Sequence, residues 1–307
     1  MNKDELKIVF LGTPDFAVAS LQALVEHGFR VVAVVTAPDK PAGRGMQLKA
    51  SAVKEYAVGQ GIPVLQPEKL KNPEFLEELR SYKADLQVVV AFRMLPEAVW
   101  NMPPMGTINV HGSLLPYYRG AAPINWAIIN GETETGVTTF QLKHEIDTGD
   151  ILLQHKEPIL PEDTFGTMYY KLMQAGAQLL VKTIDGLIAG SIQEQPQHLV
   201  DKETHAPKIF KDTCRIDWHQ PAMTIHNLIR GLAPVPTAFT MLGDKQLKIF
   251  GSEAEITEHQ SAPGTIESDG KTFLKYATPD GWLYCTEVQY EGKKKMPVTD
   301  FLRGYRF

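Results

Sequence analysis

KIVFLGTPDFAVASLQALVEHGFRVVAVV, Lys7 to Val35, sets two apolar runs, KIVFL and VVAVV, on either side of a stretch whose apolar residues recur at helical spacing. Near-continuous Val, Ile and Leu runs read as strands buried on both faces, and a helix between two of them makes a parallel crossover. Thr13, Pro14 and Asp15 form a good helix start, with proline near the first helical position. The turn carries Gly12 alone where a dinucleotide fingerprint wants three glycines, so a nucleotide is a poor reading of it. A plain cap is the simpler account; the competing one is that exposed N–H groups there hold a carbonyl or an anion.

The same rhythm continues outward. A helix from about Ala50 to Gly61 precedes IPVLQP, and NPEFLEELRSYK precedes DLQVVVAF. Strands alternating with amphipathic helices predict an α/β domain, a Rossmann-like, mostly parallel sheet with helices on both faces. From about Thr164 to Gly190 the apolar spacing in FGTMYYKLMQAGAQLLVKTIDGLIAG fits one long helix closing this domain at residues 1–190. The polar stretch 191–207, with prolines and many charges, reads as a linker. In 208–307, PAMTIHNLIRGL looks helical, and LKIFGSEAEI, GTIESDG and FLKYATPDGWLYCTEVQY give short strands joined by Gly, Asp and Pro turns. That pattern predicts a small β-barrel or curled sheet of OB-like kind.

Two domains suit 307 residues of 43% hydrophobic composition. No apolar run approaches the roughly 20 residues that span a bilayer, and MNKDELKIVFLGTPDF lacks the plan of a signal peptide, so a cytoplasmic protein without membrane contact is expected. Cys214 and Cys285 have neither CxxC nor Cys/His ligand spacing, which predicts buried thiols rather than a disulfide framework or a zinc site. A mildly acidic balance, 31 basic against 36 acidic residues, argues against nonspecific nucleic-acid binding over the whole surface. Local basic patches remain: Lys40, Arg44, Lys49 and Lys54 around the single Asp39, and the run Lys293, Lys294, Lys295.

The chemistry-bearing stretch is GTINVHGSLLPYYRG. Strand positions two apart share a face, so Asn109 and His111 reach into one cleft. A carboxamide N–H and a protonated imidazole are both donors for an oxyanion forming on a carbonyl carbon, as in acyl-type transfer. A satisfied core Asn and His is the competing account. Asp147, in HEIDTGDILLQ, lies in a turn from which a loop can carry a carboxylate into a cleft, either to orient His111 and hold it protonated or to receive a proton; Asp-x-Gly is also plain turn chemistry. A metal site on His111, His144 and Asp147 lacks rigid ligand spacing, and a Ser113/His111/Asp147 hydrolase lacks the nucleophile elbow. In TAPDKPAGRGMQLKASAVK, prolines and glycines block helix and strand alike, which leaves a loop that projects Arg44 and orders on an anionic partner, or else a solvated loop.

INVHGSLLPYYRGAAPI with HEIDTGDIL is similar to the signature of the folate-dependent formyltransferases, and nearly end to end the chain resembles their methionyl-tRNA formyltransferase family. The resemblance implies formyl transfer by a monomer from 10-formyltetrahydrofolate, with no metal, to initiator methionyl-tRNA. It implies a catalytic trio of Asn109, His111 and Asp147 and a donor site along Ser113, Leu114, Leu115 and Pro116, with the pterin pocket edge at Phe92, Arg93 and Met94. For the tRNA it implies Lys40, Arg44 and Lys49 in a loop that enters the acceptor stem, Lys208 and Arg215 at the start of the second domain, and the basic run Lys293 to Lys295. Sugar-amine formyltransferases share the trio and are the nearest alternative. VVVAFRMLP is one residue shorter than the VVVAYGxxLP form of many members, and Tyr117 and Tyr118 stand where a more basic or Trp-containing pair is expected.

Overall fold

Lys7–Gly12 forms β1, in which Ile8, Val9, Phe10 and Leu11 are fully buried. The computed structural model describes residues 2–42, 47–198 and 204–306. Helix α1 (Asp15–Glu26) follows with Pro14 as its N-cap, and its buried Phe16, Ala17, Ser20, Leu21 and Leu24 fall on one face. The entry is tight: a Cβ on Gly12 would come within 2.6 Å of the Ala17 Cβ and 3.0 Å of the Val90 carbonyl oxygen, so the strand passes into the helix only with glycine there.

β2 (Arg30–Val35), α2 (Ala52–Gly59), β3 (Val64–Leu65), α3 (Pro73–Ser81), β4 (Leu86–Val90), the short α4 (Glu97–Trp100) and β5 (Thr107–His111) complete the parallel part of the sheet. Ser51 caps α2 by accepting from the Lys54 N–H at 3.1 Å, and Asn72 caps α3 by accepting from Glu74 at 3.0 Å. β6 (Glu134–Gln141) then runs antiparallel to β5, and β7 (Ile151–Pro158) forms the far edge. The order is β7-β6-β5-β4-β1-β2-β3, a mostly parallel sheet of Rossmann-like kind. Between Asn109 and His111 on β5 and Phe140 and Thr138 on β6 the register is direct.

The long helix expected near Thr164–Gly190 is α6 (Phe165–Ala189). It buries Leu172, Leu180 and Ile184, and its Thr183 hydroxyl bonds that of Thr139 on β6 at 2.7 Å. The stretch around Arg44 departs from its expectation. Lys40–Ala42 and Gln47–Lys49 pair as an antiparallel ribbon, with Lys40 opposite Lys49 and Pro41 opposite Leu48. A ribbon of two edge strands leaves outward N–H groups unpaired in any case, so Pro41 is tolerated where a central strand would exclude it. Arg44 lies outside the described residues.

The chain forms two compact units, one of Met1–Arg119, Gly136–Glu157 and Tyr170–Thr204, the other of Gly120–Thr135, Pro158–Tyr169 and His205–Phe307. The second holds α5 (Pro123–Ile129), α7 (Ala222–Leu232) and an antiparallel sheet of β8 (Ala238–Leu242), β9 (Lys245–Ile256), β10 (Ile266–Ser268), β11 (Leu274–Thr278) and β12 (Gly281–Tyr290). Its order is β8-β9-β12-β11-β10, with β13 (Met296–Pro297) added on β12 and α8 (Val298–Gly304) after it. Register shifts around Gly251 bend β9, and the sheet curls as a half-barrel over Ile225, Ile229 and Leu232 of α7. Cys214 and Cys285 are buried free thiols of this core, as their spacing predicted.

Candidate active site

In the sheet register Gly12 pairs with Val90 and Val90 with Val110, so β1, β4 and β5 end in one row. The segments that follow, 13–15, 91–94 and 112–116, therefore leave the same edge. From β1 the chain goes first to β2 and β3 on one side and then to β4 and β5 on the other. That reversal opens a crevice at the carboxyl end of the strands, where open α/β sheets take ligands.

Asn109 and His111 share a face of β5, as period-two geometry requires. Asn109 is half-buried and its carboxamide makes no hydrogen bond to a described residue. His111 is buried, with Phe140 edge-on to its ring at 6.4 Å. Its Nε2 lies 2.9 Å from the Tyr118 carbonyl oxygen. A carbonyl only accepts, so Nε2 carries a proton, and the imidazole donates a second bond only as imidazolium, from Nδ1. Facing Nδ1 at 3.8 Å is Asp147 Oδ2, close enough for charge attraction and beyond hydrogen-bond reach. Their side chains keep only 8% and 15% of their exposure, so the pair interacts through a medium poorer in water than the surface.

Asp147 sits at φ 55°, a left-handed conformation that a short polar side chain adopts more readily than most. Its turn joins β6 to β7 and is crowded: a Cβ on Gly149 would fall 1.6 Å from the Gln141 carbonyl oxygen, so only glycine fits. Lys143 and Asp150 close the mouth of the turn with a 2.7 Å ion pair. The Gln197 side-chain N–H group donates to the carbonyls of Asp147 at 2.9 Å and Gly149 at 2.7 Å.

The segment after β5 is built around a hydroxyl on the neighbouring strand. Thr138 Oγ1 donates to the Ser113 carbonyl at 2.7 Å and accepts from the Leu115 N–H at 3.1 Å and from Gln154 Nε2 at 3.0 Å. Ser113 is fully buried and its hydroxyl donates to the Tyr117 carbonyl at 2.7 Å, with no bond to His111; the serine-hydrolase reading thus lacks its nucleophile–base contact. Leu115 is buried, while Leu114 and Pro116 are half-buried. In the segment after β4, Ala91 takes φ 47°, Phe92 is half-buried, and Met94 is 72% exposed. Arg93 donates from its guanidinium to the carbonyls of Pro67 and Glu68, so its charge is tied down on backbone.

The basic positions fall in separate places. Lys40 and Lys49 sit opposite each other in the exposed ribbon. Lys54 does not share their freedom, because it pairs with Asp39 at 2.7 Å; together with Gln66 it holds the Asp39 carboxyl below the usual carboxylate range. In the second unit Lys208 lies over the exposed Phe210 ring, and Arg215 is exposed beside its backbone bridge to Phe239. Of the run after β12, Lys295 pairs with Glu287 at 3.1 Å while Lys293 and Lys294 are exposed. Among the described residues no group of His, Cys, Asp and Glu is placed to hold a metal, and no helix is long and apolar enough to cross a membrane. Sequence reading missed Thr138, Gln154 and Gln197. Thr138 left a trace as a hydroxyl inside an apolar strand run; Gln197 left none in a stretch without periodicity.

A mixed sheet ending in an Asn/His strand tip opposed by a turn carboxylate is the architecture of a group-transfer enzyme acting on a carbonyl. Residues 6–184 match the family described as formyl transferase, and residues 208–306 match the formyl transferase C-terminal domain. Methionyl-tRNA formyltransferase of Parabacteroides distasonis is 55% identical over 316 residues, covering 100% of this chain and 98% of that one. The protein of the same name from Bacteroides fragilis is 52% identical over 313 residues, covering 99% and 97%. An N-formyltransferase from Helicobacter canadensis, solved with folinic acid and dTDP-3-aminofucose, shares the fold with a TM-score of 0.69 at 22% identity, over 95% of this chain and 100% of that one. The chain belongs to the formyltransferase family and, within it, to the methionyl-tRNA formyltransferases.

Proposed function

We propose that the protein transfers the formyl group of 10-formyltetrahydrofolate to the α-amine of methionine on initiator methionyl-tRNA, for translation initiation. The observation that carries this reading is the half-buried Asp147 carboxylate facing His111 Nδ1, with the Asn109 carboxamide, unbonded among the described residues, on the same face of β5 as His111. Asn109 donates its N–H to the carbonyl oxygen on which negative charge develops. His111, whose Nε2–H is held by Tyr118, turns Nδ1 toward Asp147 Oδ2, and the carboxylate orients the ring. The same carboxylate receives the proton shed by the attacking amine and returns it to the leaving nitrogen.

The folate donor supplies the formyl group and nothing else to this scheme. The segments 91–94 and 112–116 suit its ring system, because they present half-buried or exposed Phe92, Met94, Leu114 and Pro116 at the edge of the crevice. Ser113 and Leu115 are buried, with the Ser113 carbonyl and the Leu115 N–H bonded to Thr138 and the Leu115 carbonyl to Gln154, so these two residues set the shape of the segment. The unit of Met1–Arg119, Gly136–Glu157 and Tyr170–Thr204 carries the chemistry, and 208–307 grip the RNA through Lys208, Arg215 and Lys293 to Lys295, helped by Lys40, Arg44 and Lys49. The protein acts in the cytoplasm as a monomer.

The test offers radiolabelled formyl donor with charged initiator tRNA and, separately, with an amino-sugar nucleotide. Label on the tRNA alone is expected. Label on the sugar alone would overturn the acceptor assignment, and formate release without an acceptor would overturn transfer.

A further inference from the structure

The polar stretch after α6 contributes one side chain that touches both walls of the candidate site. Gln195 pairs with Ile151 at the start of β7, its N–H donating at 2.9 Å and its carbonyl accepting at 2.8 Å, and this fixes the backbone two residues before Gln197. Gln197 Nε2 then donates to the carbonyls of Asp147 and Gly149, and its Oε1 accepts from Arg119 Nη2 at 2.7 Å and Nε at 3.2 Å. Arg119 directly follows Tyr118, whose carbonyl holds His111 Nε2.

We propose that Gln197, braced by Arg119, is a positioning residue for formyl transfer: it holds the Asp147 turn so that the carboxylate stands opposite His111. The proposal rests on the reading of His111 and Asp147 given above. The chemistry of the clamp is specific to an amide. Two backbone carbonyls demand a donor, and a guanidinium demands an acceptor, from a single side chain. Glutamate has the same length and keeps the bond to Arg119, but it sets an anionic oxygen against two carbonyl oxygens. The conformation being held also needs holding, because Asp147 sits at φ 55° beside a glycine pressed on the Gln141 carbonyl. Released, the turn has extended alternatives that withdraw the carboxylate.

Gln197→Glu, Gln197→Ala and Asp147→Asn, made in the full chain, test the proposal by steady-state formyl transfer to charged initiator tRNA, with thermal melting of each variant. Both Gln197 variants are expected to lose about 10- to 100-fold in kcat with KM for donor and tRNA within about twofold, since a misplacement near 1 Å costs up to about 10²-fold. Gln197→Glu is expected to be no better than Gln197→Ala despite keeping its Arg119 partner. A kcat within about threefold of wild type in Gln197→Glu overturns the clamp, as does a tenfold rise in KM at unchanged kcat, or a lowered melting temperature with unchanged kcat. Asp147→Asn separates the two ideas. If it collapses kcat while the Gln197 variants do not, the clamp alone fails; if it too turns over at the wild-type rate, the catalytic reading fails first.

Discussion

The Asp147 turn and the Lys40–Lys49 ribbon are opposites in construction. In the turn, two backbone carbonyls and a guanidinium are fastened to one another through the Gln197 amide, and the geometry exists before any substrate arrives. In the ribbon, Lys40 and Lys49 stand in direct cross-strand register, exposed, while Asp39 is already held by Lys54 and Gln66. Like charges placed opposite each other disfavour the ribbon's own pairing. On the proposed function, the first region is preorganised for chemistry and the second keeps charge available for an anion from outside.

Breaking the preorganised side has the largest effect. Asn109→Ala removes one donor and is expected to lower kcat by about 10²–10³-fold with little change in KM, measured by formyl transfer to tRNA. Gly149→Ala drives a methyl into the Gln141 carbonyl and should cost about 1–3 kcal/mol of unfolding free energy, read from urea denaturation, and most of the activity with it. On the open side, Lys40→Ala or Lys49→Ala should leave kcat intact, weaken tRNA use, and lower the slope of log affinity against log salt by roughly 1 each. A salt slope unchanged in both would erase the contrast between the two regions.

The smallest effect sharpens the comparison from the second unit. Burial alone pushes the Cys285 thiol up to about 12 from 9.0, and pushes Cys214 up as well. The folded state holds these thiols neutral and the unfolded chain ionises first. The contribution of Cys285 to stability is thus full below about pH 9 and declines as pH rises toward about 12, and that of Cys214 is likewise lost on the alkaline side. Both should resist thiol reagents in the native protein at pH 8 and react together in denaturant.

Much of the fold was legible because its signals are local and repeated. The KIVFL and VVAVV runs, the helical spacing in α1 and the long apolar period of α6 each report burial on a known face. The Asn109/His111 pair was legible for the same reason, since period two places both side chains without any knowledge of the tertiary structure. What escaped depends on contacts far apart in sequence. Gln197 meets Asp147 across 50 residues, and Thr138 meets Ser113 and Leu115 across a strand boundary. The ribbon escapes a local reading because Pro and Gly break strand patterns in general, whereas an edge pair has outward positions that need no donor.

The second unit draws on three stretches of chain, and its seams are specific. Asn125 in α5 donates to the Gly231 carbonyl at 2.8 Å, Arg230 to the Asp163 carbonyl at 3.1 Å, and the Gly166 N–H to the Ala233 carbonyl. Severing the polypeptide after α6 would therefore strand α5 on one fragment and its α7 partner on the other, exposing Ile129, which packs against the core that α7 helps to form. Each fragment expressed by itself should aggregate, and mixing the two before refolding should restore what neither manages alone.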